Sequence, residues 1–232
     1  MTAYTEIHKA LLELAKTSSR SEVQFFKTGP GDYAEHDHFL GIRVPILRKL
    51  AKAYVTINAT THKKLLSSAI HEERQLALFI LVLQYERGTP EQQKSIVQFY
   101  LDHLNHVNNW DLVDCSAPYI LGHHLLTRSK TSLKALSKST SLWERRIAIV
   151  ATATFIKNSE YDWTLTIAKA LLEDEHDLIH KAVGWMLREV GIREKRVLVE
   201  FLDSHAAKMP RTMLRYAIEK FTDLERKHYL KK

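Results

Sequence analysis

From about Ile42 onward the apolar residues of this chain recur at helical spacing almost without interruption. Ile46, Leu47, Leu50 and Ala51 form one such stripe, Leu76, Ile80 and Leu83 a second, and Ile147, Val150, Ala151 and Thr154 a third. Strand-like alternation is nearly absent, so the pattern predicts an all-α chain. A polar or basic start followed by a continuous apolar run appears in HEERQLALFILVLQYE, NNWDLVDCSAPYILGHHL, SLWERRIAIVATATF, DLIHKAVGWMLREVG and PRTMLRYAIEKF. These starts are spaced by roughly 30–40 residues, the period of HEAT or armadillo helical repeats. A hairpin of this kind cannot bury its own apolar face, so stacking into a solenoid with a concave surface is expected. Irregularly joined two-helix bundles are the alternative.

Seven glycines and five prolines in 232 residues support long helices with short turns. The segment KTGPGDYAEHDHFLG (27–41) is the one long irregular stretch and is expected to be a surface loop after the N-terminal helices. No linker or low-complexity tract is visible, so residues 1–232 read as one domain: N-terminal helices and loop over 1–41, stacked hairpins over 42–232.

The formal charge is +7, from 34 Lys and Arg against 27 Asp and Glu. A basic balance favours polyanionic partners through phosphate neutralisation and counterion release. Cys115 is the only cysteine, which rules out an internal disulfide framework and suits a reducing compartment. No apolar run approaches the ~20 residues of a membrane span. A soluble cytoplasmic protein without membrane attachment is therefore expected. In the absence of heptads a monomer is expected.

Four residues carry the candidate chemistry. Trp110 and Asp114 lie four apart, so a helix sets an indole and a carboxylate on one stripe. Asp114 sits in an apolar run, where an ionised carboxylate needs a partner, and Arg146 of the later LWERRIAIV run is the candidate. That pair admits two readings, an inter-repeat bridge that fixes stacking or part of a site. Trp185 has Lys181 one turn before it and Arg188 about one turn after, and aromatic faces among basic residues suit a nucleic-acid backbone. Arg145, Arg211 and Arg215 extend the candidate basic strip, and Trp143 and Trp163 are assigned to packing. Thirteen histidines include the close pairs His36/His38, His103/His106 and His123/His124, but no metal-binding motif completes a site, and no metal or other cofactor is expected. GxGxxG, Walker and GxSxG patterns are absent.

The segments FFKTGPGDYAEHDHFLGIRVPILRKLAK, NNWDLVDCSAP, WERRIAIVATATF and HKAVGWMLRE together resemble the DNA alkylation repair enzyme family, the AlkD-like glycosylases, from about Phe25 to the C-terminal hairpin. The resemblance implies a HEAT-like solenoid with a concave basic cleft that hydrolyses the N-glycosidic bond of cationic N3-alkyladenine and N7-alkylguanine in duplex DNA, a base excision repair step without β-lyase chemistry. It implies that Asp114 is the catalytic aspartate of a WD-x-VD motif, that Arg146 is the active-site arginine, and that Trp110 and Trp185 are the cleft tryptophans, with Phe25 or Phe26 near the lesion. It further implies cleavage without full extrusion of the base. His36 departs from the small residue expected in the loop. A helical-repeat protein that binds DNA structures without cleaving them, and a protein-interaction scaffold, are the rival readings.

Overall fold

A computed structural model describes residues 2–18 and 24–231. Every regular element among them is helical, and their one extended pairing is an isolated parallel bridge between His38 and Ile70. The chain separates into two compact units, residues 1–116 and 117–232.

The first unit contains α1 (Ala3–Ala15), α2 (Val44–Ala53), α3 (Ala59–Leu66), α4 (His71–Arg87), α5 (Pro90–Asp102) and the short α6 (Trp110–Asp114). Helix α4 is its axis. It is buried on all sides, with Leu76, Leu78 and Ile80 fully enclosed, and α1, α2, α3, α5 and α6 pack around it. Local chemistry sets the boundaries of its neighbours. Asn58 caps α3 by accepting the Thr61 amide, and Thr89 and Gln92 form a reciprocal capping box at α5, whose first residue is Pro90. One helix, α1, precedes the long loop among the described residues.

The loop is braced rather than loose. The Gly29 amide donates to Asp32 (3.1 Å), the Gly31 amide to Glu35 (2.9 Å) and the Ala34 amide to the Lys27 carbonyl (3.1 Å), with Ala34 itself buried. Its end is fastened to the start of α4, where the His38 amide donates to Ala69 and the His71 amide to the His38 carbonyl (3.0 and 2.9 Å).

The second unit opens with a π-turn at Pro118–Gly122, whose Pro118 carbonyl accepts from the Thr154 hydroxyl at 2.6 Å. It continues through α7 (His123–Leu125), α8 (Thr131–Leu136), α9 (Leu142–Val150), α10 (Ala153–Lys157), α11 (Asp162–Ala170), α12 (Asp177–Arg193), α13 (Lys195–His205), α14 (Arg211–Ala217) and α15 (Asp223–Leu230). Helix α12 is the counterpart of α4, packed by α9, α10, α11, α13 and α14 through Ile179, Val183, Met186 and Leu187. Its closest neighbour is α14, and Gly184 permits the approach. A Cβ there would stand 2.5 Å from both the Met213 carbonyl oxygen and the Tyr216 Cβ.

A backbone oxygen cannot swing aside as a flexible side chain can, so Gly184→Ala is expected to destabilise the second unit by about 1–3 kcal/mol, measured as a lower urea midpoint.

Candidate active site

The first unit holds a cavity of about 310 Å³ bounded by the loop, α2, α4 and α6. Its walls are aromatic. Phe26 stacks on Trp110 (centroids 5.4 Å apart, planes at 22°) and on Phe39 (4.6 Å, 28°), and the highly exposed Phe25 stands at its edge. The chargeable groups that line it are Asp114, Asp111, Glu72, His71, Cys115 and Arg48, the last with its guanidinium 4.4 Å from the Phe79 ring centre. Trp110 and Asp114 thus face one cavity from the same short helix, as their spacing predicts.

A five-residue helix has no cooperative stability of its own. Helix α6 is held instead by the first turns of α4. Both oxygens of Asp111 are engaged: Oδ1 accepts the Leu112 amide (2.9 Å), and Oδ2 accepts from His71 Nε2 (2.8 Å) and Gln75 Nε2 (2.7 Å). Asn109, fully buried before α6, donates to Asp37 at 3.2 Å.

The sequence HEERQ at the start of α4 is the unexpected part of the site. His71, Glu72, Glu73, Arg74 and Gln75 are all buried. Arg74 donates to Asp37 (2.6 Å) and to the Ser68 carbonyl (2.8 Å). Glu72 accepts the consecutive backbone amides of Leu40, Gly41 and Ile42 (2.9, 2.6 and 3.2 Å), a cradle opened by the positive φ of Gly41 (75°). Glu73 reaches the other way, accepting from Tyr4 (3.3 Å) and His8 (2.6 Å) on α1.

Burial works against a charge on His71, but the Asp111 carboxylate and hydrogen bonds to Asp111 and Asp37 outweigh it. The ring's pKa rises to about 9, Arg74 opposing. Burial would also raise the Asp37 pKa, yet its bonds to His71 and Asn109 and the Arg74 charge hold it below the usual carboxylate range. The thiol of the half-buried Cys115 is pushed well up, chiefly by burial and then by the Asp111 carboxylate. Elsewhere in the unit His62, bonded to Gln84 at 2.9 Å, is driven down to about 4 by burial.

The remaining sequence candidates lie in the second unit. Arg146 is buried and donates to the Leu178 carbonyl at 2.7 Å, joining α9 to the first turn of α12. Arg145 also turns inward, to Asp174 (2.6 Å) and the Ser139 and Thr140 carbonyls (3.0 Å each). Both guanidiniums of the tandem are thus anchored within the second unit. Trp185 is half-buried on α12. Lys181 pairs with Asp177 (2.7 Å), Arg188 with Glu219, and Arg211 with the Leu230 carbonyl (2.9 Å), while Arg215 is exposed. Trp143 and Trp163 are half-buried. Among the described residues no group of three His, Cys, Asp or Glu side chains is placed to hold a metal ion, and no helix is long and apolar enough to cross a membrane.

Sequence reasoning missed Phe39, Arg48, His71, Glu72 and Gln75 as cavity residues. The available signal was the density of charge in HEERQ directly before the most apolar run in the chain.

The all-helical architecture belongs to the class of α-helical repeat proteins. The chain belongs to the DNA alkylation repair enzyme family, whose model matches residues 7–221. Among solved structures it is similar to a predicted DNA alkylation repair enzyme from Enterococcus faecalis, with a TM-score of 0.63 and 16% identity over 82% of this chain and 92% of that one. It is also similar to AlkD2 from Streptococcus mutans, with a TM-score of 0.58 and 17% identity over 93% and 99%. At these identities the likeness shows the fold alone. No curated protein matches the chain in sequence.

The two buried histidines act on stability in opposite pH ranges. His71, with its raised pKa, contributes fully below about 6.5 and loses its contribution as pH climbs through about 9. His62, with its lowered pKa, contributes fully above about 6.5 and loses its contribution as pH falls through about 4. Thermal midpoints measured from pH 4 to 10 are expected to fall on both sides, and His71→Gln to flatten the alkaline side alone.

Proposed function

We propose that this protein is a monofunctional DNA glycosylase that hydrolyses the N-glycosidic bond of cationic alkylated purines, N3-alkyladenine and N7-alkylguanine, in duplex DNA. The observation that carries this reading is Asp114 on the wall of a cavity built from Phe26, Phe39 and Trp110. Aromatic faces attract cations, and a carboxylate among them gives the site a preference for positive charge. Both the lesion and the transition state carry it.

Glycoside cleavage ordinarily needs one acid to protonate the leaving group and a second carboxylate for the sugar. Asp111, the other acid on α6, is already bonded at both oxygens to α4 and its own helix. A single carboxylate suffices when the base is already cationic. The N–C1′ bond breaks with its electron pair going to the base, which leaves neutral. Positive charge passes to the deoxyribose, where Asp114 stabilises it. Water adds at C1′ and gives its proton to the carboxylate, yielding free base and an abasic site.

Trp110 is assigned to the sugar of the damaged nucleotide, and Trp185 and Arg146 of the second unit to the sugar–phosphate backbone. Arg145, Lys181, Arg188, Arg211 and Arg215 are assigned to phosphates, with the two units working as one DNA-binding domain and the protein acting as a monomer. Lys181 and Arg188 would exchange carboxylate partners for phosphate on binding.

Asp114→Asn is expected to lower release of N7-methylguanine from duplex DNA by two or more orders of magnitude, roughly the cost of losing a preorganised electrostatic group, with DNA affinity and thermal midpoint retained. Hypoxanthine, a neutral base, is expected to stay attached. Binding of alkylated DNA without base release by the wild type would identify a non-catalytic DNA-binding member instead.

A further inference from the structure

The charged start of α4 does more than support the fold, because one of its residues touches both halves of the cavity wall. His71 lies with its ring centre 5.0 Å from Phe26 and 4.6 Å from Phe39, and Phe26 in turn stacks on Trp110. From the same ring Nε2 donates to Asp111, the residue between Trp110 and the turn that carries Asp114, while Nδ1 faces Asp37 at 3.4 Å. One imidazole therefore contacts both the aromatic wall and the carboxylate-bearing helix, beside the direct Phe26–Trp110 stack and the Gln75 bond to Asp111. We propose that His71, as an imidazolium, is a positioning residue for base release: it holds α6 so that Trp110 and Asp114 keep their reactive orientation, and its deprotonation loosens them. The proposal rests on the glycosylase reading of the cavity.

Two donors are required for this arrangement. The imidazolium has a proton on each nitrogen and serves Asp37 and Asp111 together, whereas neutral imidazole has one proton and must abandon one of the carboxylates. The groups facing the ring are Asp37 from the loop, Asp111 from α6 and Arg74 from α4 itself, with Glu72, Asp114, Arg48 and Cys115 lining the same cavity. Two carboxylates against one guanidinium leave the immediate surroundings in favour of the cation, and the ring's upward-shifted titration agrees with that balance. Loss of the charge weakens the Nε2 bond to Asp111 even where the neutral ring keeps that proton, and since α6 is too short to hold its own shape the relaxation transmits to the residues on either side. A displacement on the order of 1 Å at a reacting group is enough to cost about 100-fold in rate.

The test is single-turnover release of N7-methylguanine between pH 6.5 and 10, corrected for spontaneous loss, with the affinity for the same duplex measured in parallel. Wild type is expected to slow as the pH passes about 9. His71→Gln, which keeps a donor but not a titrating one, is expected to release base on the order of 10- to 100-fold more slowly at pH 7. It should lose the alkaline fall, with DNA affinity changed less than about threefold. A wild-type rate and an unchanged alkaline fall in His71→Gln would overturn the proposal.

A second measurement needs neither a stable variant nor activity. In wild-type protein labelled with ¹⁵N at tryptophan, the Trp110 indole resonance, identified by its loss in Trp110→Phe, is expected to follow the titration of the His71 ring. An indole resonance that does not move across that titration would overturn the positioning role. Absence of base release by wild type at every pH would instead overturn the glycosylase reading, leaving the coupling of His71 to Trp110 to be decided by the indole signal.

Discussion

The first unit depends on the burial of five consecutive polar residues at the start of α4. Transferring such groups from water is unfavourable unless each finds a partner, and here each does. His71 and Arg74 meet Asp37, His71 and Gln75 meet Asp111, Glu72 takes three backbone amides, and Glu73 takes Tyr4 and His8. The partners come from four separate parts of the chain: α1, the loop, the turn before α4, and α6. Apolar packing alone would bring these segments together at many relative settings. Directional bonds to one buried helix end select one setting, and the cavity is what that setting leaves open.

The two aspartates of α6 show how one residue type divides between support and the chemistry proposed. Both line the cavity, but Asp111 is bonded to α4 through His71 and Gln75, whereas Asp114, three residues later, is the carboxylate to which the proposed reaction is assigned. The aromatic residues divide similarly, Phe26 and Phe39 enclosing the His71 ring as well as walling the cavity. Support and site are therefore built from shared side chains.

The helices and the Trp110–Asp114 stripe were legible in the sequence because both rest on local periodicity, which survives without knowledge of tertiary partners. The buried polar cluster was not. Glu72 and Glu73 at a helix start look like solvated charges favouring the helix dipole, and nothing nearby in sequence reveals that Asp37 lies 34 residues from His71 or that Asp111 lies 40 residues from it. The loop over 27–41 reads as surface from its glycines and proline, yet Phe39 and Gly41 at its end line the cavity. The anchoring of Arg145 and Arg146 was hidden for a related reason: tandem residues on a helix point about 100° apart, but long side chains let both curl onto carbonyls and, for Arg145, a carboxylate.

Cys115 follows Asp114 directly and lines the same cavity, so a sulfur nucleophile stands beside the residue assigned to the chemistry. Its surroundings keep it as the thiol, the form that attacks electrophiles slowly. The methylating agents that damage purines react readily with thiolates. A cysteine held protonated chiefly by burial, with the Asp111 and Asp114 carboxylates adding to it, is therefore shielded from the compounds whose products a repair enzyme of this family meets. The enclosure that buries the thiol among carboxylates thus also makes the cavity a poor target for alkylating reagents.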